Sequence, residues 1–254
     1  RQRKLIDAEF YARKSITLSL ASFGSNSIEV GRGLGTLATI INEQGRYPEA
    51  LLLSKLALST IKAAGASGAN NTLARAQKAL GSALVSDGKY ADAVAVFEEM
   101  AKNVKSDPEM AKSYAFGDFD WVLAMIQTGR SAQALGMLGG MAQKLETSAD
   151  QNSPRLAMVR AFSAAALQTE GKWAEADAAY KLAIPVLIDQ ARNDAENDTN
   201  SIKQQQRMTF IFESYLASLA QLARSDPSQS TMVAAQAFQV ADVARGSGVQ
   251  RALT

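Results

Sequence analysis

A six-residue phrase, Gly-basic-x-x-x-Ala, occurs four times along this chain. It occupies residues 45–50, 88–93, 129–134 and 171–176, so its glycines follow one another after 43, 41 and 42 residues. A period of this length is typical of stacked helical repeats, in which each unit buries its apolar face against its neighbours and needs no central core. The chain of 254 residues is therefore expected to form one repeat array rather than several globular domains.

Each phrase is predicted to mark the turn between two helices. Glycine suits the left-handed position that ends a helix, and apolar residues three and four apart flank it, for example Leu80, Leu84, Phe97 and Met100 around Gly88. Only 7% of the residues are aromatic and 5 are Pro, which favours helices over strands. These patterns predict an all-α fold of stacked antiparallel helix pairs, in which a helix A precedes each glycine and a helix B follows it.

The predicted organisation is a single domain over residues 1–254. Its parts are a partial unit at 1–24, repeats at about 28–65, 72–106, 109–149 and 154–196, a divergent repeat at 201–246, and the start of a following helix or a linker at 247–254. The third helix A is predicted to run unbroken over about 109–128, and Pro185 is predicted to kink the fourth helix B. Because neither end has a polar cap, we expect either further protein on both sides or self-association through the terminal repeats.

The residue types that the chain lacks exclude much of enzyme chemistry. It has 0 Cys and 0 His, so a thiolate nucleophile, a Ser-His pair and a zinc site of Cys/His type are all excluded. We therefore expect no catalytic residues, no metal site and no cofactor. The alternative from another class is a helical enzyme that uses carboxylates or lysines alone.

Charge and hydropathy restrict the partners in the same way. A formal net charge of +2 spread along an array gives no footprint for nucleic acid. No apolar run reaches the roughly 20 residues of a membrane span. We expect a soluble protein, with the cytoplasm favoured and the periplasm or secretion left open.

Alignment on the turn glycine brings out a family resemblance. The fifth residue after that glycine is always alanine, which allows close helix crossing, and the four are Ala50, Ala93, Ala134 and Ala176. The array thus resembles the tetratricopeptide (TPR) repeat, which implies a right-handed α-solenoid with TPR-like superhelical stacking. The period departs from the usual 34 residues and the proline expected late in helix B is missing, so the array is similar to the long-helix subclass of kinesin light chains and bacterial signalling proteins.

A second resemblance concerns the C-terminal segment. Residues 237–253, AFQVADVARGSGVQRAL, look like the junction that joins such repeats to a caspase-like CHAT peptidase domain in bacterial proteins. This resemblance implies a catalytic domain beyond Thr254. Those peptidases use a Cys-His dyad, so the present chain itself would not be the protease.

The TPR resemblance also implies where a partner would bind. In that family the A helices line a concave groove, and a peptide or protein would contact their exposed positions. The candidates in this chain are Arg32, Asn42, Arg75, Lys78, Phe116, Phe119, Met158 and Phe162. The first half of the groove would then be basic and polar and the second half apolar, although Phe119 and Phe162 would serve equally well as packing between A helices.

The functional hypothesis is a non-enzymatic scaffold for protein interaction, the regulatory or sensor part of a larger bacterial protein. The alternative is a ligand-binding effector domain of a transcriptional or signalling regulator.

Overall fold

The structure is a computed structural model that describes residues 2–115, 118–146, 152–197 and 201–253. Every regular element in these ranges is helical. The first seven helices are α1 Gln2–Phe23, α2 Ile28–Glu43, α3 Tyr47–Ala63, α4 Asn71–Ser86, α5 Tyr90–Val104, α6 Pro108–Met110 and α7 Phe119–Gln127. The others are α8 Ser131–Glu146, α9 Pro154–Thr169, α10 Trp173–Asn197, α11 Ile202–Ser225 and α12 Ser230–Leu253.

The chain separates into two compact units, Arg1–Thr128 and Gly129–Thr254. In unit 1, helices that follow one another in the chain pack together from α1 to α5, and α5 packs on α7. The A helices α2, α4 and α7 also contact one another in sequence order. In unit 2, α8 packs on α9, α9 packs on α10, and α11 and α12 form the last pair. Each unit therefore has the stacked helix pairs that the repeat predicts, and an all-α solenoid is the fold.

The repeated phrase has the predicted turn geometry in all four places. Gly45, Gly88, Gly129 and Gly171 have φ angles of 78°, 74°, 73° and 74°, in the left-handed region that favours glycine. After Gly45, the amide of Arg46 donates to the carbonyl oxygen of Ile41 at 3.2 Å, which is the bond of a Schellman C-cap. The four alanines of the phrase are 0% exposed, so the prediction of close packing there is confirmed.

The close approach in unit 1 also requires a glycine inside helix α4. A Cβ atom built on Gly81 would lie 2.6 Å from Cζ of Phe97 on α5. Phe97 is 0% exposed and stacks on Trp121 of α7, with ring centroids 5.5 Å apart. One aromatic ring thus joins α4, α5 and α7.

Two predicted boundaries differ from the structure. The third helix A is not continuous, because α6 is followed by a π-helical turn at Ala111–Ala115 and α7 begins only after Asp118. The backbone of Asp118 is extended and its side chain caps α7, so a new helix starts there. Helix α12 continues to Leu253, so no separate helix or linker begins at 247. The predicted fourth helix B is α10, which runs through Pro185 to Asn197, and the kink at that proline stays a prediction.

Candidate functional site

Two arginines occupy equivalent positions on neighbouring A helices of unit 1. Arg32 on α2 and Arg75 on α4 each lie 13 residues before the turn glycine of their repeat, and both are exposed. Because α2 and α4 pack together and packed helix axes are about 8–10 Å apart, the arginines lie about one helix spacing apart. We call the exposed surface of α2 and α4 around these two residues the arginine face.

The guanidinium groups of the arginine face have few competing partners. Nη2 of Arg32 lies 3.6 Å from Oε1 of Glu29, and both side chains are exposed, so this pair contributes little. Arg75 forms no ion pair with the residues that the structure describes. Carboxylates are the natural ligands of such groups, because guanidinium offers paired donors in a planar fork.

Lys78 has a different role from the one predicted for it. Its Nζ lies 2.9 Å from Oδ2 of Asp118, whose side chain is 7% exposed. One turn away, the Ser82 hydroxyl donates to Oδ2 of Asp120 at 2.6 Å. These two bonds join α4 to the start of α7. Lys78 is half-buried and engaged within the unit rather than presented alone to a partner.

Asn42 is a buried residue between A helices and not a groove residue. It is 3% exposed, and its Nδ2 donates to Oγ of Ser86 on α4 at 3.1 Å. Its Oδ1 has no hydrogen-bond partner among the described residues. The bond to Ser86 joins α2 to α4 near the C-terminal ends of the two helices.

The predicted apolar half of the groove does not appear as an exposed surface. Phe116 lies outside the described residues, and Phe119 is half-buried at the start of α7. Met158 and Phe162 on α9 are 7% and 0% exposed, and Phe162 stacks on Phe210 of α11 at 5.6 Å between ring centroids. Both α9 residues belong to the core of unit 2, because α11 packs against that helix.

Sequence reasoning missed a ring of charges at the first turn of the array. Glu9 on α1 accepts a hydrogen bond from Arg46 at 2.8 Å and one from Gln44 at 3.0 Å. Arg13 closes the ring, donating to Glu9 at 2.9 Å and to Glu49 at 3.0 Å. Arg46 also pairs with Glu49. The basic residue of the first phrase therefore ties α1 to the α2–α3 turn.

The loss of folding stability at acidic pH should depend on Glu9. Burial alone would raise the pKa of this carboxyl, but hydrogen bonds from Arg13 and Gln44 and the nearby charge of Arg46 outweigh it and lower the pKa. A carboxyl group whose pKa is lower in the folded than in the unfolded protein stabilises the fold at pH values above its unfolded-state pKa. That stabilisation is lost as the pH falls through its folded-state pKa. Unfolding temperatures measured from about pH 6 to about pH 3 should therefore fall less steeply in Glu9→Gln than in the parent.

Asp7→Asn is the matched control for this measurement. Asp7 is an exposed carboxylate on the same helix, and it forms no ion pair with side chains that the structure describes. This variant should keep the parent's slope. Equal slopes for the parent and Glu9→Gln would show that the ring does not stabilise the fold through Glu9.

Other surfaces are less specific. Helix α1 exposes Ile6, Phe10, Tyr11 and Leu18 by 61–67%, and self-association through this terminal repeat stays a prediction. Across the described residues, no group of three or more Asp and Glu side chains is arranged to hold a metal ion. No helix within those same ranges is long and apolar enough to cross a membrane.

Comparisons with known proteins agree with this architecture. No protein-family model and no curated protein matches the chain. Among solved structures, the kinesin-light-chain-type protein of Podospora anserina with nearly identical TPR-like repeats aligns over 74% of this chain and 90% of its own, at 15% identity and a TM-score of 0.57. BtubC (BKLC) from P. vanneervenii aligns over 98% and 92%, at 13% identity and a TM-score of 0.54.

A third solved structure, the Rap conjugation gene regulator of plasmid pLS20 in complex with the Phr* peptide, aligns over 100% of this chain and 73% of its own. Its identity to this chain is 16% and its TM-score is 0.50. At such identities the likeness concerns the fold alone. This chain therefore has a TPR-like, all-α solenoid fold.

Proposed function

We propose that this chain is a non-enzymatic interaction scaffold that binds an acidic peptide, or an acidic segment of a protein, on the arginine face of unit 1. The observation that carries the proposal is the register of Arg32 and Arg75, exposed at equivalent positions on packed A helices. Two guanidinium groups one helix spacing apart suit two carboxylates separated along a ligand. The absence of Cys and His from the sequence supports a binding role rather than a catalytic one.

The fold comparisons supply a second argument for a peptide ligand. The Rap regulator, which shares the fold, was solved in complex with a peptide. Stacked helical repeats also offer extended surfaces built from successive units, which suit extended ligands. In this chain the exposed threonines Thr36 and Thr39 follow Arg32 on the same face of α2, and their hydroxyl groups donate to backbone carbonyl oxygens of that helix.

Selection from a random peptide display library tests this function. We expect the parent protein to enrich peptides that carry two or more acidic residues. These peptides should make few contacts with unit 2. The double variant Arg32→Glu/Arg75→Glu should bind the selected peptides about 10- to 30-fold more weakly, since each reversed exposed charge weakens binding by about 1 kcal/mol. Affinity should also fall as salt is raised.

Lys55→Glu provides the matched control. Lys55 is exposed on the B helix α3 of the same unit and forms no ion pair with the described residues. This variant changes the net charge in the same direction as a single arginine reversal, and it should retain the parent's affinity. Selected peptides that lack acidic residues, or that bind the double variant as well as the parent, would rule out the arginine face as the binding surface.

The wider context is a regulatory domain of a larger bacterial protein of the CHAT peptidase type. This part of the proposal rests only on the resemblance of residues 237–253 to a CHAT junction. The complete open reading frame tests it directly. A following domain that contains Cys and His would support the assignment, and its absence would remove the peptidase while leaving the scaffold function untouched.

A further inference from the structure

A cavity of about 140 Å³ lies in unit 2 where α10, α11 and α12 meet. Its floor is largely apolar and consists of residues that are almost fully buried. Ile184 and Ile188 lie one turn apart on α10 and are 4% and 3% exposed, Tyr215 on α11 is 5% exposed, and Val240 on α12 is 1% exposed. The cavity thus combines an apolar floor with walls from three helices.

The size of the cavity limits its occupant to one side chain. A cavity of about 150 Å³ lined by apolar residues holds a single benzene molecule. The present space therefore fits one leucine or phenylalanine side chain. The phenol of Tyr215 stays neutral in this floor, because burial and the nearby Asp177 carboxylate raise its pKa.

The rim supplies hydrogen-bonding groups beside this floor. Pro185 lines the cavity without an N–H to offer, and Nζ of Lys181, another lining residue, pairs with Oδ2 of Asp177 at 2.6 Å. Gln236 accepts a hydrogen bond from the Tyr215 hydroxyl on its Oε1 at 3.4 Å, which leaves its Nε2 as a donor. Gln239 is exposed at the mouth of the cavity. Amide donors therefore lie beside an apolar floor.

These features match one residue of a peptide better than a simple hydrocarbon. A peptide residue carries an N–H and a C=O group on either side of its side chain. We propose that the cavity is an anchor site for a single leucine-sized side chain of a partner peptide. The C=O of that residue accepts from the amide of Gln236 or Gln239.

This site differs in place and chemistry from the arginine face. It lies in unit 2, between the B helices α10 and α12, and it recognises an apolar side chain with its flanking amides rather than carboxylates. Loss of acidic-peptide binding in the arginine variant would therefore leave this proposal intact, and the reverse also holds.

Methyl NMR on the whole chain tests the site with three small probes. N-acetyl-leucine N-methylamide should shift the methyl signals of Ile184, Ile188 and Val240, with a dissociation constant on the order of 1 mM. N-acetyl-glycine N-methylamide, which lacks the side chain, should shift none of them. The alcohol 3-methylbutan-1-ol has the side chain without the two amides and should bind about tenfold more weakly.

Two tryptophan variants on α12 complete the experiment. Gln239→Trp blocks the mouth of the cavity and should abolish the shifts, whereas Ala234→Trp, at an exposed position that does not line it, should preserve them. The proposal is overturned if the leucine probe leaves the three methyl groups unmoved or binds Gln239→Trp as well as the parent. Equal affinity of the alcohol and the leucine probe would also overturn it, because the rim would then not recognise a peptide.

Discussion

Replacing Phe97 with alanine should lower the free energy of unfolding of unit 1 by about 3–5 kcal/mol. The ring is 0% exposed and fills the space over Gly81, where a Cβ atom would lie 2.6 Å from it. It also stacks on Trp121 at an interplanar angle of 15°. Removing the ring deletes its buried apolar surface and leaves a void at the junction of α4, α5 and α7. That loss is a large part of the roughly 5–15 kcal/mol that stabilises a typical domain.

Urea unfolding followed by tryptophan fluorescence measures this change in the appropriate unit. Of the 2 Trp in the chain, Trp121 is 6% exposed in unit 1 and Trp173 is 39% exposed in unit 2. In a Trp173→Phe background the signal therefore reports unit 1 alone. Leu52→Ala is the matched surface truncation, because Leu52 is 67% exposed on α3, and it should change stability by no more than about 0.5 kcal/mol.

A double-mutant cycle separates the fit of the ring over Gly81 from its general hydrophobicity. Gly81→Ala alone should destabilise unit 1, because the new methyl group meets the Phe97 ring. In a Phe97→Leu background the same substitution should cost less or become favourable, since the smaller side chain leaves room and alanine is the better helix former. Additive effects of the two changes would show that the close contact does not limit stability.

The turns of this fold could be predicted from the sequence because their causes are local. Gly45 needs a positive φ angle to end α2, and Ala50 must be small where the next helix crosses. Both requirements act within a few residues and recur in the four repeats that carry the phrase. Register alone was therefore sufficient to place the helix pairs.

The sequence does contain a signal for the break in the third helix A. Asp118-x-Asp120 directly precedes an apolar run, and an aspartate in that place is a strong N-cap. The stripe of helix-spaced apolar residues continued across it and favoured one long helix. A new helix nevertheless begins after Asp118, because its side chain accepts hydrogen bonds from the free amides of Asp120 and Trp121.

Candidate groove residues were harder to predict, because exposure depends on distant parts of the chain. Arg32 and Arg75 are exposed, as expected of charged residues on an outer helix face. Phe162 is covered by Phe210 of α11, almost fifty residues later, and no local pattern reports that contact. Alignment of the repeats with the TPR pattern identified which face of each A helix to consider. It did not identify which positions on that face a later helix would bury.

Replacing Asp118 with alanine should cost about 2–3 kcal/mol of stability in unit 1. Oδ1 of this carboxylate accepts from the amide of Asp120 at 2.8 Å and from that of Trp121 at 3.4 Å. Oδ2 pairs with Lys78 at 2.9 Å. The alanine variant loses both the cap of α7 and the link to α4. Asp118→Asn should cost less, because asparagine caps a helix as well as aspartate does and only the ion pair is lost.

Binding and stability should move in opposite directions in the asparagine variant. In Asp118→Asn, Lys78 loses its carboxylate partner and becomes an unpaired positive charge on α4, the helix that carries Arg75. An acidic peptide selected on the arginine face should then bind more tightly, by about two- to fivefold, while urea unfolding shows a less stable unit 1. Lys78→Met in the same background should abolish the gain in affinity. Weaker binding of the peptide to Asp118→Asn would show that Lys78 does not face the ligand, and that the bond to Asp118 instead holds α4 in its binding position.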